Sequence, residues 1–135
     1  ITRPSESILA EQLENISKRE DRLLALGELA KQARDCLKNH DLSDFGNMLH
    51  KGWELKRGLA SGVSNQVLDN LYNASRKAGA IGGKIAGAGG GGFLLLYAPL
   101  AAQDNVRNAL SSLRELPFLF ERDGSRVVFD LGRSK

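Results

Sequence analysis

The residues best suited to chemistry form a glycine-rich segment in the second half of the chain. Eight of the 15 glycines lie between Gly79 and Gly92. Glycine permits positive φ and leaves room for a phosphate or another backbone, so successive amide groups can converge on an anion. A tight hairpin needs only one or two glycines. The segment is therefore either a hairpin turn with extra small residues or, as we favour, a main-chain anion site.

Two familiar phosphate motifs do not explain this segment. Residues 87–92 match G-x-G-x-x-G, but that fingerprint opens a helix, and here it leads into the apolar run Phe93-Leu94-Leu95-Leu96, which predicts a strand. Gly82-Gly83-Lys84 resembles part of a Walker loop. However, Ala78 stands where that loop has its first glycine, and Ile85 stands where it has Ser or Thr.

Basic side chains are concentrated just before the glycines. Residues 50–84 contain six Lys or Arg and two Asp or Glu, a net charge of +4, against +3 for the whole chain. Lys84, between glycines, is the strongest candidate for a cation that faces an anionic substrate, and the hypothesis extends to Lys51, Lys56 and Arg57. The alternative, that these cations are solvated helix surface, is favoured for Lys51, Arg76 and Lys77. The six are Lys51, Lys56, Arg57, Arg76, Lys77 and Lys84.

Four helical segments are predicted upstream of the glycines. Ser5 caps the first, and residues 17–20 have the form of a capping box, which either restarts a helix or lies within a longer one. Asn39 and His40 end the second segment. The third runs from Asp41 to Gly58, and the fourth from about Ser64 to Gly79.

The apolar period then changes to that of strands. Residues 81–86 and 93–97 predict two strands, the second covered on both faces, and Pro99 opens a further helix. Residues 118–121 and 126–131 flank Asp123-Gly124, a strong hairpin signal. This order predicts one α+β domain with an antiparallel sheet and helices mainly on one face.

Composition narrows the class of protein further. The chain has 135 residues, 41% hydrophobic and 26% charged, as in one globular domain, and no apolar run is long enough for a membrane span. The single cysteine, Cys36, predicts a buried or half-buried structural thiol in a reducing cytoplasm. With 6% aromatic residues there is no nucleic-acid pattern. The chain begins at Ile1 without a signal peptide, so we expect a piece of a longer polypeptide.

Several other residues are better explained by structure than by chemistry. His40 and His50 have no metal-ligand spacing to another ligand, so no metal site is predicted. Trp53 is expected to be a core or interface anchor. Asp41 and Asp44 are expected to cap a helix rather than to act as acid or base.

Residues 79–93, GAIGGKIAGAGGGGF, resemble the third conserved motif of the GHMP kinases, a superfamily that includes galactokinase, homoserine kinase and mevalonate kinase. Upstream, residues 53–57 and 63–65 are most similar to the bacterial D-glycero-D-manno-heptose 7-phosphate kinases, and also to the kinase part of fucokinases. The resemblance covers nearly the whole chain.

This resemblance implies that residues 1–135 are one ferredoxin-like domain, the carboxy-terminal domain of an ATP-dependent sugar or sugar-phosphate kinase, with a heptose phosphate as the expected acceptor. Lys84, Asn65 and Gly83 are the implied substrate-side residues. The implied nucleotide-phosphate loop consists of Gly87, Ala88, Gly89, Gly90, Gly91 and Gly92.

The resemblance also implies what this chain does not contain. In the family, the ATP loop and the catalytic aspartate and lysine belong to an amino-terminal domain, and no segment here matches them. We therefore expect no catalytic residue in this chain, ATP and Mg²⁺ held mainly by an amino-terminal domain of the same polypeptide, and no turnover by this chain alone. The alternative is a freestanding ligand-binding or regulatory module without catalytic activity.

Overall fold

A computed structural model of the chain describes residues 5–14, 20–87 and 91–121. Four helices come first: α1 (Ser5–Glu14), α2 (Glu20–Lys38), α3 (Leu42–Arg57) and α4 (Gln66–Lys77). Strands β1 (Gly82–Ala86) and β2 (Phe93–Tyr97) follow, and then α5 (Leu100–Ala109). The predicted order of four helices, two strands and a helix is confirmed, as is the α+β class.

The helix boundaries follow from capping residues that the sequence shows. The Asp41 carboxylate accepts a hydrogen bond from the Asp44 amide at the start of α3, and Gly58 caps its end. Asn65 does the same for α4 by accepting from the Leu68 amide at 3.0 Å. His40, after α2, takes the left-handed conformation with φ 59°. These ends confirm the predicted boundaries.

The two strands pair in antiparallel register. Gly82 is opposite Tyr97, and Ala86 is opposite Phe93, so residues 87–92 form the connection between the strands. We call residues 87–92 the glycine turn. β2 is less covered than its apolar run predicts, because Phe93 is 64% exposed and the other four residues are half-buried.

The core lies where α1, α3, α4 and β1 meet. Trp53 from α3 is 1% exposed, which confirms its predicted place in the core, and Ile85 brings β1 to the same cluster. Truncating a side chain like Trp53 to Ala costs about 3–5 kcal/mol, so this cluster dominates the stability of the domain. The buried members of the cluster are Ile8, Trp53, Ala60, Val63, Tyr72 and Ile85.

Only the first strand of the predicted final hairpin lies within the described residues. Residues 118–121 have no regular secondary structure, so the predicted strand is wrong for these residues. Their backbone makes no hydrogen bond to β1 or β2, which is what a strand requires. Asp123-Gly124 and residues 126–131 lie outside the described residues, as do residues 17–19 of the predicted capping box.

The structure also bears on the predictions for Cys36 and for a membrane span. Cys36 is half-buried in α2, as predicted, and desolvation raises the pKa of its thiol, helped by the nearby carboxylates of Asp44 and Asp41. In the described part of the chain, no helix combines the length and the apolar character needed to cross a bilayer.

Candidate functional site at the glycine turn

The backbone of the glycine turn requires glycine at both of its described ends. Gly87 has φ 116° and Gly92 has φ 102°, a region that side-chain-bearing residues rarely adopt. A Cβ on Gly92 would also lie 2.7 Å from the carbonyl oxygen of Ala86, whereas a Cβ on Gly87 would meet nothing within 4 Å. The chain thus doubles back closely at Gly92 and is open at Gly87. Ala88, Gly89 and Gly90 lie outside the described residues.

A lysine of α3 contacts the first glycine of this turn. The Lys56 ammonium, at the end of α3, donates a hydrogen bond to the Gly87 carbonyl oxygen at 2.9 Å. Burial lowers the pKa of Lys56, and the positive charge of the neighbouring Lys84 lowers it further. Lys56 is half-buried, while Lys84 is exposed on β1. The charge of Lys84, the lysine that the sequence singled out, thus acts on a second cation, Lys56, which contacts the turn.

The other cations of the basic segment have different surroundings. Arg57 forms ion pairs with Glu54 at 3.0 Å and with Asp69 at 2.9 Å. Arg76 donates to the backbone carbonyl oxygens of Ala80 and Ile81, at the start of β1. Arg57 and Arg76 thus stabilise the fold, so the excess charge of this segment does not form one patch.

Asn65 and Gly83 are two of the residues that the sequence predicts on the substrate side. Asn65 is the N-cap of α4, and Gly83 is buried on β1, opposite Leu96. A Cβ on Gly83 would lie 2.7 Å from the Leu96 side chain, so the strand packs tightly there. Their role toward a substrate stays a prediction.

Sequence reasoning missed a hydrogen bond between a histidine and a tyrosine 22 residues apart. His50 Nδ1 lies 2.8 Å from the Tyr72 hydroxyl oxygen, and the two rings stack at 5.9 Å. Burial lowers the pKa of His50, with Arg76 acting in the same direction. Burial raises the pKa of Tyr72, and a backbone hydrogen bond from Gly83 opposes that rise. The only sequence signal was Tyr72 on the apolar stripe of α4.

A groove in the described part of the structure lies away from the glycine turn. It measures about 510 Å³ and runs between α2 and α3. None of the predicted site residues lines it. Its lining residues are Ala25, Glu28, Leu29, Gln32, His50, Lys51, Glu54 and Leu55. Among the described side chains, no group of three or more His, Cys, Asp or Glu is arranged to hold a metal ion.

A comparison with protein families shows to which family this chain belongs. Residues 33–115 match the family described as GHMP kinases C terminal, which is more than half of the chain. The chain belongs to this family. The matched residues of this GHMP kinase domain include α3, α4, β1, β2 and α5 in full, and the glycine turn with them.

Curated relatives of this GHMP kinase domain differ in the acceptor that their names state. It is 38% identical over 73 residues to a bifunctional fucokinase/GDP-fucose pyrophosphorylase of Arabidopsis thaliana, covering 54% of this chain and 7% of that protein. It is 36% identical over 110 residues to a mevalonate kinase of Thermococcus sibiricus, covering 78% and 33%. A D-glycero-alpha-D-manno-heptose 7-phosphate kinase of Campylobacter jejuni is 30% identical over 86 residues, covering 64% and 25%.

Among solved structures, the domain is similar to the mevalonate kinase of L. major in complex with R-mevalonate. The TM-score is 0.70 at 23% identity, over 83% of this chain and 35% of that one, which supports the fold. The chain thus spans at most about a third of the length of these relatives. Mevalonate kinases match more of this chain than the heptose phosphate kinase does, so the resemblance to the latter is one of several.

Proposed function

We propose that this chain is the carboxy-terminal domain of an ATP-dependent kinase that phosphorylates a hydroxyl group of a small molecule. The observation that carries the proposal is a glycine turn with positive φ at both described ends, in a chain of the GHMP kinase family. Bound Mg-ATP would supply the phosphoryl group. Such a transfer depends on positioning and charge neutralisation more than on covalent chemistry.

In this proposal the chain's own contribution is a surface of backbone donors. The glycine turn, residues 87–92, offers amide groups to the nucleotide phosphates without side chains in the way. Lys84, Gly83 and Asn65 lie on the acceptor side. The amino-terminal domain of the same polypeptide holds most of the contacts to ATP and Mg²⁺ and contributes the catalytic groups.

The sequence favours a sugar or sugar phosphate as the acceptor, with a heptose phosphate as the first candidate. The similarity to mevalonate kinases over 78% of the chain makes mevalonate a second candidate. Both are tested in one experiment. The polypeptide carrying both proposed domains is incubated with Mg-ATP and heptose 7-phosphate, mevalonate, fucose or galactose, and ADP release is measured.

We expect acceptor-dependent ADP release from the two-domain protein and none from residues 1–135 alone. Gly90→Val in the two-domain protein should cut turnover severely while circular dichroism stays unchanged; wild-type rates in this variant would exclude a role for the turn. Absence of transfer to every acceptor would refute the kinase function and favour a ligand-binding module.

A further inference from the structure

Among the described residues, Lys56 and Lys84 differ from the neighbouring Arg57 in lacking a carboxylate partner. In the described ranges, neither has an Asp or Glu oxygen within the 4.0 Å that defines an ion pair, whereas Arg57 has two such partners. The one hydrogen bond of the Lys56 ammonium goes to a neutral carbonyl, that of Gly87. The Lys56 ammonium thus contacts the turn and is affected by the positive charge of Lys84, and neither lysine has a carboxylate partner among the described side chains.

The positive charges of Lys56 and Lys84 disfavour each other unless an opposite charge balances them. An ammonium group has three donors, and partial burial removes water from Lys56 while Lys84 repels its charge. An anion between the two lysines would reverse both effects, because it supplies acceptors and opposite charge. Groups perturbed by burial and by a like charge are often functional for this reason.

Resting on the proposed kinase function, we propose that Lys56 and Lys84 form an anion site beside Gly87 that binds the phosphate or carboxylate of the phosphoryl acceptor. The acceptor class is then an anionic hydroxyl compound, not a neutral sugar. Among the acceptors named by similar kinases, heptose 7-phosphate carries a phosphate and mevalonate a carboxylate, while fucose carries neither. Nucleotide phosphates remain with the amides of the glycine turn.

The first test measures anion binding directly, with inorganic phosphate as the probe. The 135-residue chain is titrated and followed by NMR at the backbone amides of Lys84 and Gly87. Lys56→Met and Lys84→Met should each weaken binding about tenfold, as expected for loss of one charge-assisted hydrogen bond. Lys51→Met is the matched control, since Lys51 is exposed on the same helix. Equal affinity in all variants would overturn the site.

The second test assigns the anion to the acceptor or to the nucleotide. In the two-domain protein, both variants should raise the KM for the anionic acceptor about tenfold and leave the KM for ATP unchanged. A rise in the KM for ATP instead, or higher kcat/KM for fucose than for the anionic acceptors, would refute the assignment while the kinase function stood. If no acceptor were phosphorylated, the kinase function would fail, and the phosphate titration would still decide the anion site.

Discussion

The backbone of Gly82 packs directly against the carbonyl group of Gly46. A Cβ on Gly82 would overlap the Gly46 carbonyl oxygen and lie 2.9 Å from the backbone nitrogen of His50. A Cβ on Gly46 would lie 2.6 Å from the Tyr97 ring and 2.8 Å from Ile81. These two glycines therefore allow α3 to approach β1 closely enough to place Lys56 at the glycine turn.

The first prediction concerns this contact. Gly82→Ala should lower the free energy of unfolding by about 2–3 kcal/mol, because the methyl group meets backbone atoms that can move only with α3. Urea unfolding followed by circular dichroism measures the change. Gly27→Ala is the control: nothing lies within 4 Å of its Cβ position on α2, so it should stabilise the chain by up to about 1 kcal/mol. Equal effects of the two substitutions would mean that the close approach is absent.

The second prediction concerns the ion pair between Arg57 and Asp69, which joins the end of α3 to α4. The Ser64 hydroxyl donates to the same carboxylate at 2.6 Å, so the group is held on two sides. Arg57→Met should cost about 1 kcal/mol, the upper end for pairs that keep solvent contact. Lys31→Met, which breaks the exposed pair with Glu28, should cost close to nothing. Thermal unfolding of both variants compares them, and an equal loss in both would argue against a role for Asp69.

The third prediction is a pH dependence that comes from His50. Because burial lowers its pKa below 6.5 in the folded chain, the unfolded chain binds more protons in that range. The contribution of His50 to the free energy of unfolding is therefore present above about pH 6.5. It is lost as the pH falls through the pKa that His50 has in the folded chain.

Urea unfolding at several pH values tests this contribution. His50→Asn keeps an amide near the Nδ1 position, where it can still bond to the Tyr72 hydroxyl, but it does not titrate. The variant should lose less stability than the wild type between about pH 8 and pH 5. An NMR titration of the wild-type imidazole with a midpoint above 6.5 would contradict the prediction.

The fourth prediction separates the two ends of the glycine turn. Gly87→Ala and Gly92→Ala both place a side chain at positive φ, which costs about 1 kcal/mol or more. Only Gly92→Ala also brings its methyl group 2.7 Å from the Ala86 carbonyl oxygen. Gly92→Ala should thus be the more destabilising, by about 1 kcal/mol. Equal midpoints of urea unfolding for the two variants would contradict the described path of the turn.

Much of the local structure could be read from the sequence because its causes are local. Asp41 and Gly58 mark the ends of α3 through capping, and the change of apolar period marks the two strands. Residues 118–121 show the limit of this reasoning. Their apolar character suits a strand, but their backbone makes no hydrogen bond to β1 or β2, and residues 126–131, the partner that the sequence predicts, lie outside the described residues.

The sequence predicted the glycines and Lys84 of the candidate site, but it did not predict Lys56. The density of glycines and the position of Lys84 between them are properties of neighbouring residues, so they were visible in the sequence. Lys56 lies 31 residues before Gly87, and no periodicity relates the two. Its contribution depends on how closely α3 packs on β1.

The sequence alone determined the helices, the two strands and a glycine turn that needs residues without side chains, because propensity, capping and φ preferences act over a few residues. Tertiary structure decided which cations meet. It gave Arg57 two carboxylates and placed the Lys56 ammonium on the Gly87 carbonyl, where the charge of Lys84 acts on it, because packing between distant elements sets the distances on which electrostatic energy depends.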